Sequence, residues 1–177
     1  ILAMHNRLLE TSMQQLVLER ALLPDGWADD VLVSFQDGVI TGVEPQAGIL
    51  AGAPQQAGVT LPGMINLHSH AFQRGMAGLA ERAGSDDDSF WTWREVMYRF
   101  LDRLTPDDVE AIAALAYVEM VEAGFTTCVE FHYLHHDPSG VPYADIAEMA
   151  ARIAAAADIA GIGLTLLPVY YRWSNFA

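Results

Sequence analysis

His68 and His70, one residue apart at the end of the apolar run Leu61-Pro62-Gly63-Met64-Ile65-Asn66-Leu67, are the residues of this chain whose type and spacing speak most directly of chemistry. In a β-strand an i, i+2 spacing turns both imidazoles to the same side, so two neutral nitrogen donors can converge on one metal ion. The pair also stands at the C-terminal end of its strand, where barrel and open-sheet enzymes carry their reactive groups. Histidines that merely pack or sit at the surface are the competing explanation. A catalytic zinc usually takes three protein ligands and leaves one position open, so two histidines begin a site without completing it.

Within the chain the further donors are Glu130, His132, His135 and His136, at or just beyond a second apolar stretch. Glu130 and His132 share a face by period-two alternation, so both could point into a barrel interior. A hydrogen-bonded polar pair near the barrel mouth is the preferred reading, ahead of direct ligation. His135 and His136 are expected in a solvated loop.

The elements that must position these residues follow from pattern and punctuation. Residues 1–15 show a weak helical pattern and are read as a leader, with Met4 or Met13 as a natural start. Short strands are expected over Leu16 to Arg20, Val31 to Phe35 and Val39 to Val43, with Pro24-Asp25-Gly26 and Gln36-Asp37-Gly38 as turns. Together they form the β-sandwich segment of a first part, 16–60. Within it residues 45–60, rich in Ala, Gly, Gln and Pro, are read as a linker.

From residue 61 to 177 the pattern becomes βαβαβ with an extra helix in the first connection, which implies a parallel sheet or barrel. Met64 to His68 is the first strand, and a short helix or structured loop follows over 70–81. Ser89 caps a helix running to about Arg103, with Phe90, Trp93, Met97, Phe100 and Leu104 inward and Trp91, Arg94 and Tyr98 on an adjoining stripe. Thr105-Pro106-Asp107-Asp108 starts the next helix: a cap, a proline at the first position and acids at the positive end of the dipole. Phe125 to His132 is the second strand. The third helix is expected over about Tyr143 to Ala160, with Ile146, Met149, Ala150, Ile153 and Ala157 inward and Gly161 as its stop. Gly163 to Tyr170 is a third strand, apolar enough to be covered on both faces.

Composition bounds the function. Against 23 acidic residues stand 9 basic ones, all arginine, for a net charge of -14. Such a balance repels phosphate backbones and anionic lipid, so nucleic-acid and membrane partners are disfavoured, while one or two well-placed arginines can still hold a small anionic substrate. The single cysteine, Cys128, has no intrachain disulfide partner, no secretory leader opens the chain, and no apolar segment reaches the length of a membrane span; a cytoplasmic location is expected.

The run from Leu61 to His70 resembles the PG(x)xNxHxH first-strand signature of the amidohydrolase superfamily, preceded there too by strands of a small β-sandwich. Ala71-Phe72-Gln73-Arg74, Ser89-Phe90-Trp91-Thr92-Trp93-Arg94-Glu95 and Glu130-Phe131-His132-Tyr133-Leu134-His135-His136-Asp137 further resemble the formimidoylglutamate deiminase family within it. The resemblance runs from about residue 16 to the end. It implies a (β/α)8 barrel carrying one zinc, or another divalent metal, and hydrolysing the formimino C=N of N-formimidoyl-L-glutamate to give N-formyl-L-glutamate and ammonia in histidine degradation. By the same resemblance His68 and His70 are the first two metal ligands, and Gln73, Arg94 and Tyr133 contact the glutamate part of the substrate. Arg94 offers a planar, permanently charged fork for a carboxylate, with Gln73 and Tyr133 as neutral hydrogen-bonding neighbours. Without the motif, a surface ion pair for Arg94 and a barrel-rim position for Tyr133 would be preferred.

A complete barrel takes about 250 residues, and the stretch from Pro62 holds three strands. The remaining metal ligands and the general acid/base residues are therefore expected beyond Ala177, the chain is read as the N-terminal part of a deiminase, inactive alone, and a homodimer is possible for the whole protein. Another deaminase of the superfamily acting on a purine-type ring, and a non-catalytic half-barrel binding module, are the alternatives.

Overall fold

The computed structural model describes residues 13–48, 52–79 and 90–171; most of the expected leader, the acidic stretch 83–88 and the Ser89 cap lie outside the described residues. The chain divides into two compact units, one ending at Pro62 and the other opening at Gly63.

The first unit is a four-stranded sheet of β1 (Gln14–Leu23), β2 (Gly26–Gln36), β3 (Val39–Glu44) and β4 (Gln55–Thr60), in the order β3-β2-β1-β4. Both expected turns are two-residue hairpin connections, closed by the pairs Leu23↔Gly26 and Gln36↔Val39. In the second, Asp37 (φ 52°) and Gly38 (φ 76°) are both left-handed, as the primed turn that suits strand twist requires. Leu18, Ala21 and Val31 form the small core, with Leu16, Leu23, Ala28 and Val33 against them. Two expectations need correction. Gln14 and Gln15 belong to β1 rather than to a leader, and the presumed linker contains a strand. Residues Gln55–Thr60 run parallel to β1 and are almost wholly exposed, so backbone pairing rather than apolar burial makes this strand; Glu19 adds a bond from the Gly58 amide (2.6 Å).

The second unit carries β5 (Met64–Ser69), a 3-10 turn (Ala71–Met76), α1 (Phe90–Leu101), α2 (Pro106–Glu122), β6 (Phe125–His132), α3 (Glu148–Ala160) and β7 (Gly163–Pro168). The strands form one parallel sheet in the order β5-β6-β7, the βαβαβ pattern read from the sequence. Thr105 caps α2 in a reciprocal box with Asp108, and Pro106 opens the helix. Gly161 closes α3 in the left-handed conformation (φ 70°). Arg152 on α3 pairs with Asp107 and Glu110 at 2.9 and 3.0 Å, tying α3 to α2.

Two boundaries and two inward positions differ from expectation. Helix α3 starts at Glu148, because Asp145 closes a turn of its own, its side chain taking the Ala147 amide (2.8 Å) and its carbonyl the Glu148 amide (3.0 Å). Ile146 therefore falls before the helix and is 69% exposed rather than inward. Phe90, at the first position of α1, is likewise exposed, whereas Met97 is buried. Strand β7 stops at Pro168 and is not covered on both faces. Cys128, Leu164 and Leu166 pack with α2 and α3 on one side of the sheet, while Ile65, Leu67 (74% exposed) and Leu167 are open to solvent. That face of the sheet leaves apolar side chains uncovered among the described residues.

Candidate metal and carboxylate site

The placement of the two histidines depends on a slip in strand pairing. Asn66 pairs with Cys128 and Ser69 with Glu130, so β5 spends three steps where β6 spends two. A bulge of this kind re-aims side chains. Ser69 turns to the helix-covered side with Cys128 and Glu130, all three buried, and His68 stays exposed. Asn66 holds the bulge: its Oδ1 accepts the His68 amide (3.0 Å) and its Nδ2 points at Met120 Sδ on α2 (3.4 Å).

The imidazoles of His68 and His70 stand edge to face with centroids 5.2 Å apart. His70 Nδ1 lies 3.0 Å from the Phe131 carbonyl oxygen. A carbonyl only accepts, so this contact puts the proton on Nδ1 and leaves the Nε2 lone pair for a metal. The next amide, Ala71 N–H, donates to Glu130 Oε1 at 2.7 Å. His70 also lies edge-on to Phe131 (5.3 Å) and Tyr133 (5.4 Å).

Gln73, on the 3-10 turn, donates through Nε2 to Tyr133 Oη at 2.9 Å, and that hydroxyl lies 3.7 Å from Met97 Sδ on α1. Burial pushes the Tyr133 phenol up, against the opposing pull of the Gln73 bond. Arg94, one turn before Met97, donates to Tyr98 Oη (2.8 Å) and lies over the rings of Trp91 and Tyr98. His68, His70, Gln73 and Tyr133 thus form one group, whereas the described contacts of Arg94 are with Trp91 and Tyr98 on its own helix. Beside the histidines a shallow depression is lined by Arg74, Glu119 and Met120 as well.

Glu130 and His132 do share a face, as alternation requires, but it is the helix-covered one. They are 1% and 2% exposed, and the barrel-interior expectation is corrected by the packing of their strand face against α2, α3 and the 3-10 turn. Burial, then the neighbouring His135, lowers the His132 pKa to about 4. His135 is not a solvated loop residue: it is half-buried, with Nε2 2.7 Å from the Val169 carbonyl. His136 is exposed, as expected. Among the described residues no three His, Cys, Asp or Glu side chains converge as a metal-binding group. The two-histidine geometry fits the first half of such a site. Asn66 and Glu130 fix the backbone around it; Glu130 stands out in the sequence only as a further donor, and the signal for Asn66 is its place in the strand signature.

Residues 59–172 match the Amidohydrolase family. The chain belongs to that family. Residues 15–57 match a second family, described as Formimidoylglutamate deiminase HutF, N-terminal domain. The formimidoylglutamate deiminase of Pseudomonas aeruginosa is 56% identical over 165 residues, 93% of this chain and 36% of that amidohydrolase relative. A 5-methylthioadenosine/S-adenosylhomocysteine deaminase of Haloarcula marismortui is 30% identical over 79% of this chain and 29% of its own length. Among solved structures, an amidohydrolase from Brucella melitensis superposes with a TM-score of 0.86 at 55% identity, over 92% of this chain and 36% of that one. The atrazine chlorohydrolase of Arthrobacter aurescens, solved with zinc, shares the fold at 18% identity (TM-score 0.66, 87% and 35% covered). The chain thus spans about a third of the length of its amidohydrolase relatives. No helix among the described residues is long and apolar enough to cross a membrane.

Proposed function

We propose that this chain contributes the first metal-binding and the substrate-carboxylate residues of a deiminase that hydrolyses N-formimidoyl-L-glutamate to N-formyl-L-glutamate and ammonia, within a (β/α)8 barrel. The observation that carries the proposal is the juxtaposition of the His68–His70 pair with the Gln73–Tyr133 bond (2.9 Å). The 56% identity to the Pseudomonas deiminase supports the same substrate.

His68 and His70 would hold one divalent cation, zinc for preference, because imidazole nitrogens suit it and the His70 proton already sits on Nδ1, donated to the Phe131 carbonyl. When bound, the metal activates a water near neutral pH and polarises the group under attack. Gln73 and Tyr133 fix the substrate's carboxylate end by hydrogen bonds, and Arg94 neutralises it with a guanidinium fork. Holding that end orients the formimino carbon, which converts a collision into a near-unimolecular step. The hydrolysis adds water across C=N and expels ammonia; its proton transfers need a general acid/base that this chain does not assign.

The test is ammonia release by the whole protein that carries this chain, offered N-formimidoyl-L-glutamate beside a panel of aminopurine nucleosides. Turnover confined to the formimino substrate is expected. Turnover confined to the ring substrates would contradict the reading and favour the kind of reaction named for the Haloarcula relative.

A further inference from the structure

We propose that Glu130 is a positioning residue for the metal-binding turn, acting through the backbone amide of Ala71. The inference rests on the metal reading of His68 and His70 given above. Glu130 lies in the middle of the second unit's core, 1% exposed, where an ionised carboxylate is costly unless it is hydrogen-bonded. Its Oε1 takes the Ala71 N–H at 2.7 Å, and nothing in the helix or strand ladders requires that bond. The peptide so held is the one that joins His70 to Ala71. Its plane is set by the ψ angle of His70, which is 75°, between the helical and the extended wells, with φ at -135°. The next residue along β6, Phe131, holds the same histidine by its ring, through the carbonyl bond to Nδ1 (3.0 Å). Two consecutive residues of one strand therefore fix His70 from both sides: Glu130 its main chain, Phe131 its imidazole.

Glu130 Oε2 and Tyr117 Oη are both buried and neither meets a partner at hydrogen-bond geometry, although the two groups are neighbours: burial first, then the Glu130 carboxylate, pushes the Tyr117 phenol up. The one well-formed contact is the one that reaches the metal-binding turn. Losing it frees His70 to rotate about ψ and carries Nε2 away from the position that His68 shares. Outer-shell partners of this kind typically alter metal affinity about 10–100-fold.

The experiment is chelator competition for zinc on the whole protein, comparing the wild type with Glu130→Met, Glu130→Gln and His70→Ala, each first checked for folding in the metal-free state by circular dichroism. Met fills the same volume without an acceptor, so the core is kept while the Ala71 bond is lost. Gln keeps an oxygen for Ala71. The expected result is zinc affinity about 10–100-fold weaker in Glu130→Met, near wild type in Glu130→Gln, and lost in His70→Ala. Loss in His70→Ala with none in Glu130→Met would overturn this inference alone, as would equal losses in Met and Gln. Retention in all three would overturn the metal reading itself. The kinetic split separates positioning from substrate binding: kcat should fall in Glu130→Met while KM stays put, and a rise in KM alone would count against it.

Discussion

Phe131 gives His70 a main-chain oxygen, and that oxygen decides which imidazole nitrogen is left with a lone pair. Chemistry at this scale is set by partners that carry no charge. Tyr133 is the comparable case, since its hydroxyl accepts from Gln73 and turns its own proton toward the weak acceptor Met97 Sδ. Tyr133→Phe in the whole protein should raise KM and lower kcat/KM by about 10–100-fold, the worth of a hydrogen bond to a charged group, about 1.5–3 kcal/mol; an unchanged KM would remove Tyr133 from the substrate site. His132 makes a prediction about stability. Its pKa is depressed by burial from 6.5 to about 4, so as the pH falls below 6.5 the unfolded chain takes the proton first. Stability is intact above 6.5 and declines between 6.5 and about 4, by as much as about 3 kcal/mol at the low end. Urea denaturation at pH 7.5 and pH 5 measures it, and His132→Gln should flatten the difference. An equal drop in the variant would assign the acid sensitivity elsewhere.

Elements whose ends are fixed by neighbours in sequence were legible, and those fixed across the fold were not. The start of α2 needs only Thr105, Pro106 and Asp108, and β6 runs over Phe125–His132 as its pattern indicates. By contrast, β4 is a polar stretch that exists because β1 offers it an edge, and the three-against-two slip between β5 and β6 is a property of the pair. The side of Glu130 and His132 followed from which face the helices cover, which period-two alternation does not report. Two substitutions test the local devices. Thr105→Ala should cost about 1 kcal/mol and leave zinc affinity alone, read by thermal melting. Gly63→Ala should cost about 1–3 kcal/mol, because an added Cβ would meet Thr126 Cβ at 2.8 Å as well as both ends of that branched side chain. A melting temperature unchanged by Gly63→Ala would mean that the strand entry yields more easily than its packing suggests.

At the scale of the molecule, the second unit has a finished side and an open one. Tyr117, Cys128, Ile153 and Ala156 close the core beneath the helices, whereas Leu67 and Leu167 face solvent. The chain spans 36% of the length of its Pseudomonas relative. The 177-residue chain alone should bind an apolar dye on its open face and release no ammonia from N-formimidoyl-L-glutamate. Zinc content and ammonia release, measured together on the whole protein and on its His70→Ala variant, show whether His68 and His70 begin the metal site of a formimidoylglutamate deiminase. One tightly held zinc and turnover are expected in the first, and loss of both in the second. A His70→Ala protein that kept its zinc and its turnover would rule that assignment out.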